Sequence, residues 1–442
     1  MNNSAVIANK PESNPPPRRP KRILGPALSL RELNLICWGV FFITLILPAC
    51  IVLLGYVRGG AAAKVPEVDF VYFYGMGRIF DNYPVSQVYD YELQKRVFNE
   101  LHPLKSGTYN PVPYPPFIGA LLGVLARIPF FPAYLVWLLI SLILYIAGLT
   151  MVAARFFPGD RLRISLVLCL GLSFYPFIGW AWLSGHLSTI GFFAIALALR
   201  EEDRARPFTS GLALSVCLYK PTLVVLLVPM LFVTKRLKVL AGFMTGCVLL
   251  VAFTTALEGV ESWRGYINLL LYYGHSSAGV QSHPFKQAWK YIDLSSFAAL
   301  IPGGRSWTGQ ALLFAGALSA FAALCRVWWK SAGASRPAKS LAWAATLTWT
   351  LVLNAYVPIY DSILIVPSVV ATAGILKALS EERAYHGLTV LWPLILACSW
   401  VTVKVAHSTG IQVITLLFAA VGILQIAVCA RVSTGRALSV KM

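Results

Sequence analysis

Residues 58–114 read RGGAAAKVPEVDFVYFYGMGRIFDNYPVSQVYDYELQKRVFNELHPLKSGTYNPVPY, a long polar interval in an otherwise apolar chain. One long apolar helix is predicted just before this interval, and many others follow it. Membrane proteins usually join their spans by short loops, so an interval of more than fifty residues, rich in Tyr, Asp and Pro, is not a simple connector. It places Asp69 a dozen residues after the first span, where a carboxylate can act at the membrane surface. The interval therefore predicts chemistry on a lipid-borne substrate.

The composition is that of an integral membrane protein. Hydrophobic residues make up 57% of the 442 residues and charged residues only 12%, about half the charged fraction of a soluble domain. The apolar runs are long and continuous rather than alternating, which excludes an outer-membrane barrel. We therefore predict an all-α polytopic fold with about 12 transmembrane helices, in which the first outer loop is long and carries short helices beside the membrane.

The charge and the cysteines exclude several other classes of protein. The net charge is +19, but the basic residues form short clusters between apolar runs, as cytoplasmic loop anchors do, so no nucleic-acid partner is predicted. All eight cysteines lie within or beside apolar runs and none forms a CxxC pair, which predicts neither disulfides nor a zinc site. The chain also has no nucleotide-phosphate loop, HExxH, GxSxG or DxD motif. We therefore predict no metal and no cofactor.

The chain divides into a tail and a single membrane domain. Residues 1–26 are polar and Pro-rich, which predicts a disordered cytoplasmic tail, and residues 27–442 form the transmembrane domain. Its outer loops are predicted at about 58–114 and 258–305, with both termini inside. The predicted spans are 35–57, 115–127, 131–155, 161–182, 185–200, 207–233, 237–257, 306–329, 339–357, 361–378, 387–406 and 410–431.

Two loops disagree with this count, because 155–163 and 200–206 would place six arginines outside. Short or re-entrant helices between 115 and 233 would resolve the conflict, since Pro221 can interrupt the segment 207–233 after Lys220.

Asp69 is the first candidate for a catalytic group. The aromatic residues of DFVYFY shield its carboxylate from water, which raises its basicity and suits a general base for a sugar hydroxyl. The alternative is that Asp69 caps the short helix that VYFYGMGRIF can form. Tyr72 beside it and Tyr114, at the helix start Tyr114-Pro115-Pro116-Phe117, are predicted to contact the sugar or the acceptor.

Lys220 and His186 are predicted to bind the phosphate of the donor. Lys220 interrupts the apolar run LSVCLYKPTLVVLLVP, and an ammonium group there costs about 3 kcal/mol or more unless it is paired or close to water. Snorkelling of its side chain to the surface is the alternative. His186 lies in SGHLS at the start of a helix, where hydrogen-bond donors can face an anion. The alternative is that His186 is a structural residue.

Three cations of the second outer interval complete the predicted phosphate site. They are His283, Lys286 and Arg305, although a solvated loop explains them equally well. Asp361 opens the tenth span and is predicted either to cap that helix or to contact the acceptor or sugar.

These pieces together resemble glycosyltransferase family 87, a family of polytopic GT-C-type enzymes that includes polyprenyl-phosphate-mannose-dependent mannosyltransferases. The resemblance covers about residues 65–370 and rests on DFVYFYGMGRIF and VYD, YPPF, SGHLSTIGFF, LYKPTLVVLLVP before TKRLK, and YDSILIVP. The family's presumed base matches Asp69, and its lysine–proline pair matches Lys220-Pro221. The family often has GQ where this chain has Gly185-His186, so a glutamine role does not carry over unchanged.

The resemblance implies an inverting, metal-independent transfer of a hexose, with mannose the expected sugar. The implied donor is a polyprenyl-phosphate sugar, the acceptor is a lipid or a glycan, and membrane lipids surround the enzyme. It also implies a bacterial inner-membrane protein whose active site lies on the extracytoplasmic side.

Two other functions fit part of the sequence. A transporter or flippase of a lipid-linked sugar would show ionisable residues near the midplane of several spans and repeated halves, but only Lys220 and Lys404 qualify and no repeat is visible. An enzyme that transfers a whole glycan, as polymerases and ligases of surface polysaccharides do, would use the same kind of outer loop. The sequence does not separate this last class from the leading hypothesis.

Overall fold

The computed structural model of the chain describes residues 29–59, 69–101, 111–275 and 287–433. These residues form seventeen α-helices and no β-strand. The helices are α1 Leu30–Gly59, α2 Phe70–Asn82, α3 Tyr91–Leu101, α4 Pro116–Ala126, α5 Phe130–Phe156, α6 Arg161–Leu172, α7 Ser188–Asp203, α8 Pro207–Ser215, α9 Leu227–Val233, α10 Leu237–Glu258, α11 Val260–His275, α12 Leu294–Leu300, α13 Trp307–Ser331, α14 Arg336–Leu353, α15 Ile365–Ala378, α16 Glu382–Thr409 and α17 Val413–Ser433. Between them lie a π-helical segment at Pro176–Trp182 and 3-10 turns at Val85–Gln87, Val216–Tyr219, Pro221–Val224, Ala288–Lys290 and Ile359–Leu364.

Six helices in the described part of the chain are long and apolar enough to cross a membrane, or seven if one bent pair counts as a span. The six are Phe130–Phe156, Leu237–Glu258, Trp307–Ser331, Ile359–Ala378, Glu382–Thr409 and Val413–Ser433. Each coincides with a span predicted from the sequence, and α1 covers the predicted first span. The protein is therefore a polytopic membrane protein, but the predicted number of twelve spans is not confirmed.

The differences are concentrated between residues 115 and 233. The predicted span 115–127 is an 11-residue helix about 17 Å long, short of the roughly 30 Å of a bilayer core. The predicted span 161–182 bends by 54° between its two helical parts. The predicted span 207–233 breaks at Lys220, because Pro221 has no N–H with which to continue the helix.

The broken segment 207–233 starts and ends at the same end of the molecule. Arg206 lies 3.8 Å from Glu201, and Arg236, just after α9, forms an ion pair with the adjacent Glu202. Arg155, at the end of α5, pairs with Asp203 at this same place. The loops 155–163 and 200–206 therefore lie at the same end as residues 235–238. The count of twelve spans would place them at opposite ends, and the alternative of a broken segment resolves that conflict. The interruption after Lys220, predicted from Pro221, is the reason.

Glycines let α8 pack closely against α10. A Cβ atom on Gly211 would lie 1.9 Å from the carbonyl oxygen of Val239, and one on Gly242 would lie 2.0 Å from that of Phe208. Small residues allow backbones in membrane proteins to approach in this way. The contact fixes α8, and with it the position of Lys220 a few residues further on.

The core lies around the tenth predicted span. In the segment Ile359–Ala378, 89% of the residues in its most apolar 18-residue stretch are buried. The corresponding share in Trp307–Ser331 is only 17%, so this helix lies at the periphery. Large apolar side chains on α5, α10 and α13 are exposed, as surfaces in contact with lipid are. Residues from the centre of this bundle are therefore the ones that the fold holds most firmly.

The two predicted outer loops contain helices. Interval 58–114 carries the short helices α2 and α3, as expected. Interval 258–305 carries α11 and α12, so most of its described part is helical rather than an open loop. The predicted tail, residues 1–26, lies outside the described residues.

Candidate active site

A cavity of about 590 Å³ lies where α2, the start of α7, the break at Lys220 and the 3-10 turn at Ile359–Leu364 meet. Seven tyrosines line it, together with four acidic or basic side chains from distant parts of the sequence, Asp69, His186, Lys220 and Lys290. Aromatic walls with a few polar groups that converge on one space are typical of sites for small organic ligands.

Asp69 is held at the cavity by Ser184. The Ser184 hydroxyl donates to Oδ2 of Asp69 over 2.8 Å and accepts from the Asp69 backbone N–H over 3.3 Å. The backbone N–H of Phe70 donates to the carbonyl of Ser184 at 3.0 Å. Oδ1 of Asp69 accepts no hydrogen bond from the described residues, and the residue lines the cavity, so this oxygen is free to accept from a ligand there. Asp69 precedes α2 without capping it through its side chain, which contradicts the capping interpretation.

The surroundings of Asp69 make it a stronger base than an exposed aspartate. Burial raises the pKa of its carboxyl group, while the hydrogen bond from Ser184 and the charge of Lys290 oppose the rise. The direction of this shift agrees with the basicity predicted from the aromatic neighbours.

The turn that carries Ser184 depends on Gly185. Gly185 has φ +72°, in the left-handed region that favours glycine, and a Cβ atom there would lie 2.7 Å from Cβ of Phe70. Trp137 of α5 donates its Nε1–H to the Gly185 carbonyl at 2.8 Å, and Tyr134 donates to the carbonyl of Leu183. The first half of α5 therefore fixes the turn that holds Asp69.

Lys220 forms a buried ion pair. Its Nζ lies 2.5 Å from Oδ2 of Asp361, and the two side chains are 10% and 2% exposed. The ammonium also lies over the rings of Tyr360 and Tyr356, at 4.7 and 5.5 Å from their centroids. Such pairing compensates a charge inside a membrane domain and contradicts the snorkelling interpretation.

Asp361 lies beneath the cavity. The preceding residue Tyr360 lines the space, but the carboxylate itself accepts hydrogen bonds from Lys220 and from the Ser188 hydroxyl, the latter at 2.9 Å. It belongs to the 3-10 turn Ile359–Leu364 and does not cap a helix, so the capping interpretation was wrong. Its geometry fits a partner of Lys220 better than the predicted direct contact with sugar or acceptor.

His186 joins the same buried group of side chains. Its Nδ1 lies 3.0 Å from the Ser188 hydroxyl, and its Nε2 lies 3.4 Å from the hydroxyl of Tyr114. Its ring stacks on Tyr360 with 3.5 Å between centroids. His186 is thus a wall residue of the cavity with a polar neighbour at each ring nitrogen, the closer one at Nδ1.

Lys290 was not selected from the sequence, although it belongs to the cationic stretch FKQAWKYID. It lies on the turn Ala288–Lys290, and the next residues are fixed by a bond from the Ile292 N–H to the Val357 carbonyl at 2.9 Å. Asp293 then caps α12 and accepts the Val357 N–H at 3.1 Å. Among the described residues Lys290 forms no ion pair, and it lines the cavity that Asp69 also lines.

The structure brings most of the predicted site residues together. Asp69, Lys220, His186, Tyr72 and Tyr114 all line the cavity. Arg305 is exposed in the turn before α13 and does not line it, which corrects its predicted place in the phosphate site. His283 and Lys286 lie outside the described residues.

Sequence reasoning missed the two serines that organise the site. Ser184 and Ser188 flank Gly185-His186, and nothing in SGHLS distinguishes them from serines at an ordinary helix start. Among the described residues no group of three or more His, Cys, Asp or Glu side chains could hold a metal ion.

Comparison with known sequences gives one match. The sequence model of glycosyltransferase family 87 matches residues 113–358, which is more than half of the chain. No curated protein and no solved structure matches the chain. The matched range includes His186, Lys220 and Lys290 but begins after Asp69, whose assignment therefore rests on the geometry of the cavity.

Proposed function

Because the chain belongs to glycosyltransferase family 87 and is a membrane glycosyltransferase, we propose that it moves a hexose from a polyprenyl-phosphate donor to a lipid or glycan acceptor. Mannose is the leading candidate for the sugar. We propose an inverting, metal-independent reaction on the extracytoplasmic face of a bacterial inner membrane, with no cofactor besides the donor. The family membership removes the transporter alternative from consideration.

One observation carries this proposal. The open oxygen of Asp69 and the ammonium of Lys220 line the same cavity, although 151 positions separate them in the sequence. A transfer from a sugar phosphate needs a base for the acceptor and a cation for the leaving group, and this cavity supplies both.

The reaction follows from this arrangement. The acceptor hydroxyl gives its proton to Oδ1 of Asp69 while its oxygen forms a bond to the anomeric carbon. The bond between that carbon and the phosphate oxygen breaks on the opposite face, and the electron pair leaves with the phosphate monoester. Lys220 and Lys290 stabilise the charge of the leaving phosphate, so no second acid is needed.

The distribution of charge supports an extracytoplasmic cavity. Arg155 and Arg236 gather at one end of the bundle, and Lys and Arg prefer the cytoplasmic side. Trp137, which holds the turn beside Asp69, precedes Arg155 by 18 residues on α5, or about 27 Å along the helix. This separation along α5 supports a cavity near the opposite face.

The test is a donor panel with the full chain in lipid nanodiscs. Radiolabelled polyprenyl-phosphate hexoses are compared with a polyprenyl-diphosphate hexose, a nucleotide hexose and a lipid-linked oligosaccharide. We expect transfer or hydrolysis only with a monophosphate-linked hexose. Turnover of the nucleotide or diphosphate donor alone would contradict the proposed donor class, and turnover of the oligosaccharide alone would favour transfer of a whole glycan.

A further inference from the structure

The cavity contains a chain of hydrogen bonds whose direction can be deduced. Lys220 donates to Oδ2 of Asp361, and Ser188 donates to Oδ1 of the same carboxylate at 2.9 Å. In its ion pair with the Lys220 ammonium, 2.5 Å away, Asp361 is a carboxylate, and a carboxylate only accepts hydrogen bonds. The single hydroxyl proton of Ser188 is therefore used in the bond to Asp361.

This direction determines the tautomer of His186. Nδ1 of His186 lies 3.0 Å from the Ser188 oxygen, which has no proton left to give. The ring must donate here, so Nδ1 carries a hydrogen. A second hydrogen on Nε2 would make His186 a cation in a buried space already shared with the charge of Lys220. The ring is therefore neutral, and Nε2 presents a lone pair.

Nε2 is directed toward a partner that a ligand can replace. The hydroxyl of Tyr114 lies 3.4 Å from it, at the outer limit of a hydrogen bond, and both residues line the cavity. A lone pair does not bind a phosphate oxygen, which also offers only lone pairs. It accepts from a hydroxyl, and a sugar has several.

We propose that the Lys220–Asp361–Ser188 chain holds His186 as the neutral Nδ1–H tautomer, so that its Nε2 accepts a hydrogen bond from a hydroxyl of the donated sugar. The contact with a donor sugar rests on the proposed function, whereas the tautomer does not. The assignment replaces the predicted role of His186 at the phosphate and divides the cavity: cations face the phosphate, and the imidazole faces the sugar ring.

The tautomer is tested by nitrogen NMR of the full chain in nanodiscs with ¹⁵N-labelled histidine. The six histidines of the sequence are resolved by the signals lost in the variant His186→Gln. We expect His186 to show a protonated Nδ1 and an unprotonated Nε2, and Ser188→Ala to abolish this preference. An imidazolium or an Nε2–H tautomer in the unaltered chain would overturn the proposal.

The contact with sugar is tested by binding of two ligands, a polyprenyl-phosphate hexose and polyprenyl phosphate without sugar. We expect His186→Phe to weaken binding of the sugar-bearing ligand roughly tenfold and to leave binding of the bare phosphate unchanged. His186→Gln should recover most of the loss, because its amide oxygen also accepts. Lys290→Met is the contrasting variant and should weaken binding of both ligands.

The outcomes separate the two proposals. If His186→Phe weakens the binding of both ligands equally, His186 contacts the phosphate, and the proposed contact with the sugar is wrong. If the unaltered chain binds neither ligand, the proposed donor and the donor-sugar contact are both wrong, while the NMR result still decides the tautomer.

Discussion

Carboxylates and cations occur at both ends of the molecule, but they are arranged differently. At the end formed by the last turns of α5 and α7, Arg155 pairs with Asp203 and Arg236 with Glu202. At the cavity end, Asp69 is held by a neutral hydroxyl and keeps one oxygen open, and Lys290 has no ion pair among the described residues. The first arrangement uses charges to join loops, whereas the second keeps Asp69 and Lys290 available for a ligand.

The burial of the charges differs in the same way. The pair of Arg155 and Asp203 is 33% and 25% exposed, while the pair of Lys220 and Asp361 is 10% and 2% exposed. Partly exposed pairs contribute little to stability, and a buried pair becomes expensive when one partner is removed. Matched substitutions at the two ends therefore separate charges that serve the reaction from charges that serve the fold.

The largest expected effect is the loss of transfer in Asp69→Asn. The amide keeps the shape of the side chain but cannot take a proton, so the transfer rate should fall about 10²- to 10⁴-fold while donor binding persists. Transfer is measured with the donor identified by the panel. The matched control is Asp203→Asn, which removes a carboxylate at the other end and should leave the rate close to that of the unaltered chain. A similar loss in both variants would contradict the comparison.

The second prediction concerns the buried pair. Lys220→Met leaves Asp361 without its cation and should lower the unfolding free energy by about 3–5 kcal/mol. Adding Asp361→Asn should restore most of the stability but not the affinity for polyprenyl phosphate. Arg155→Met, at the exposed pair, should cost only about 1 kcal/mol or less. Thermal unfolding of the purified variants measures the difference, and equal losses in the two single variants would contradict it.

The third prediction uses two glycines with nearly the same backbone. Gly185, beside Ser184, has φ +72°, and Gly159, in the turn after α5, has φ +74°. A Cβ on Gly185 would meet Phe70, whereas nothing lies within 4 Å of one on Gly159. Both alanine variants should lose about 1–2 kcal/mol of unfolding free energy, because alanine disfavours the left-handed backbone. Gly185→Ala should in addition displace Ser184 from Asp69 and slow transfer roughly tenfold. Gly159→Ala should lose stability only. Equal transfer rates in the two variants would contradict a role of the Gly185 turn in positioning Asp69.

Part of this site could be predicted from the sequence because single residues there break a local pattern. Lys220 interrupts an apolar run, and Asp69 is surrounded by aromatic residues; both line the cavity. The partners could not be predicted, because Ser184 is 115 residues from Asp69 and Asp361 is 141 from Lys220. Such pairs follow from packing, which no local pattern records.

The fold shows the same division. Long apolar runs such as those of α5 and α17 predicted spans that the structure contains. The run 207–233 is equally apolar on average, yet it breaks at Lys220 and returns to the end where it began. Average hydropathy does not show where a chain reverses its direction, so a count of spans from hydropathy alone places the loops 155–163 and 200–206 at the wrong end. Pro221 was the one residue that signalled the break.

The most direct test of the central claim, that Asp69 takes the proton of the acceptor, is the pH dependence of a single turnover at saturating donor. Burial raises the pKa of Asp69, and only the ionised carboxylate acts as a base, so the rate should be constant at high pH. It should fall about tenfold per pH unit below a pKa higher than that of an exposed aspartate. The residual rate of Asp69→Asn should not follow this titration. A rate that is independent of pH in the unaltered chain, or that titrates identically in Asp69→Asn, would contradict the account.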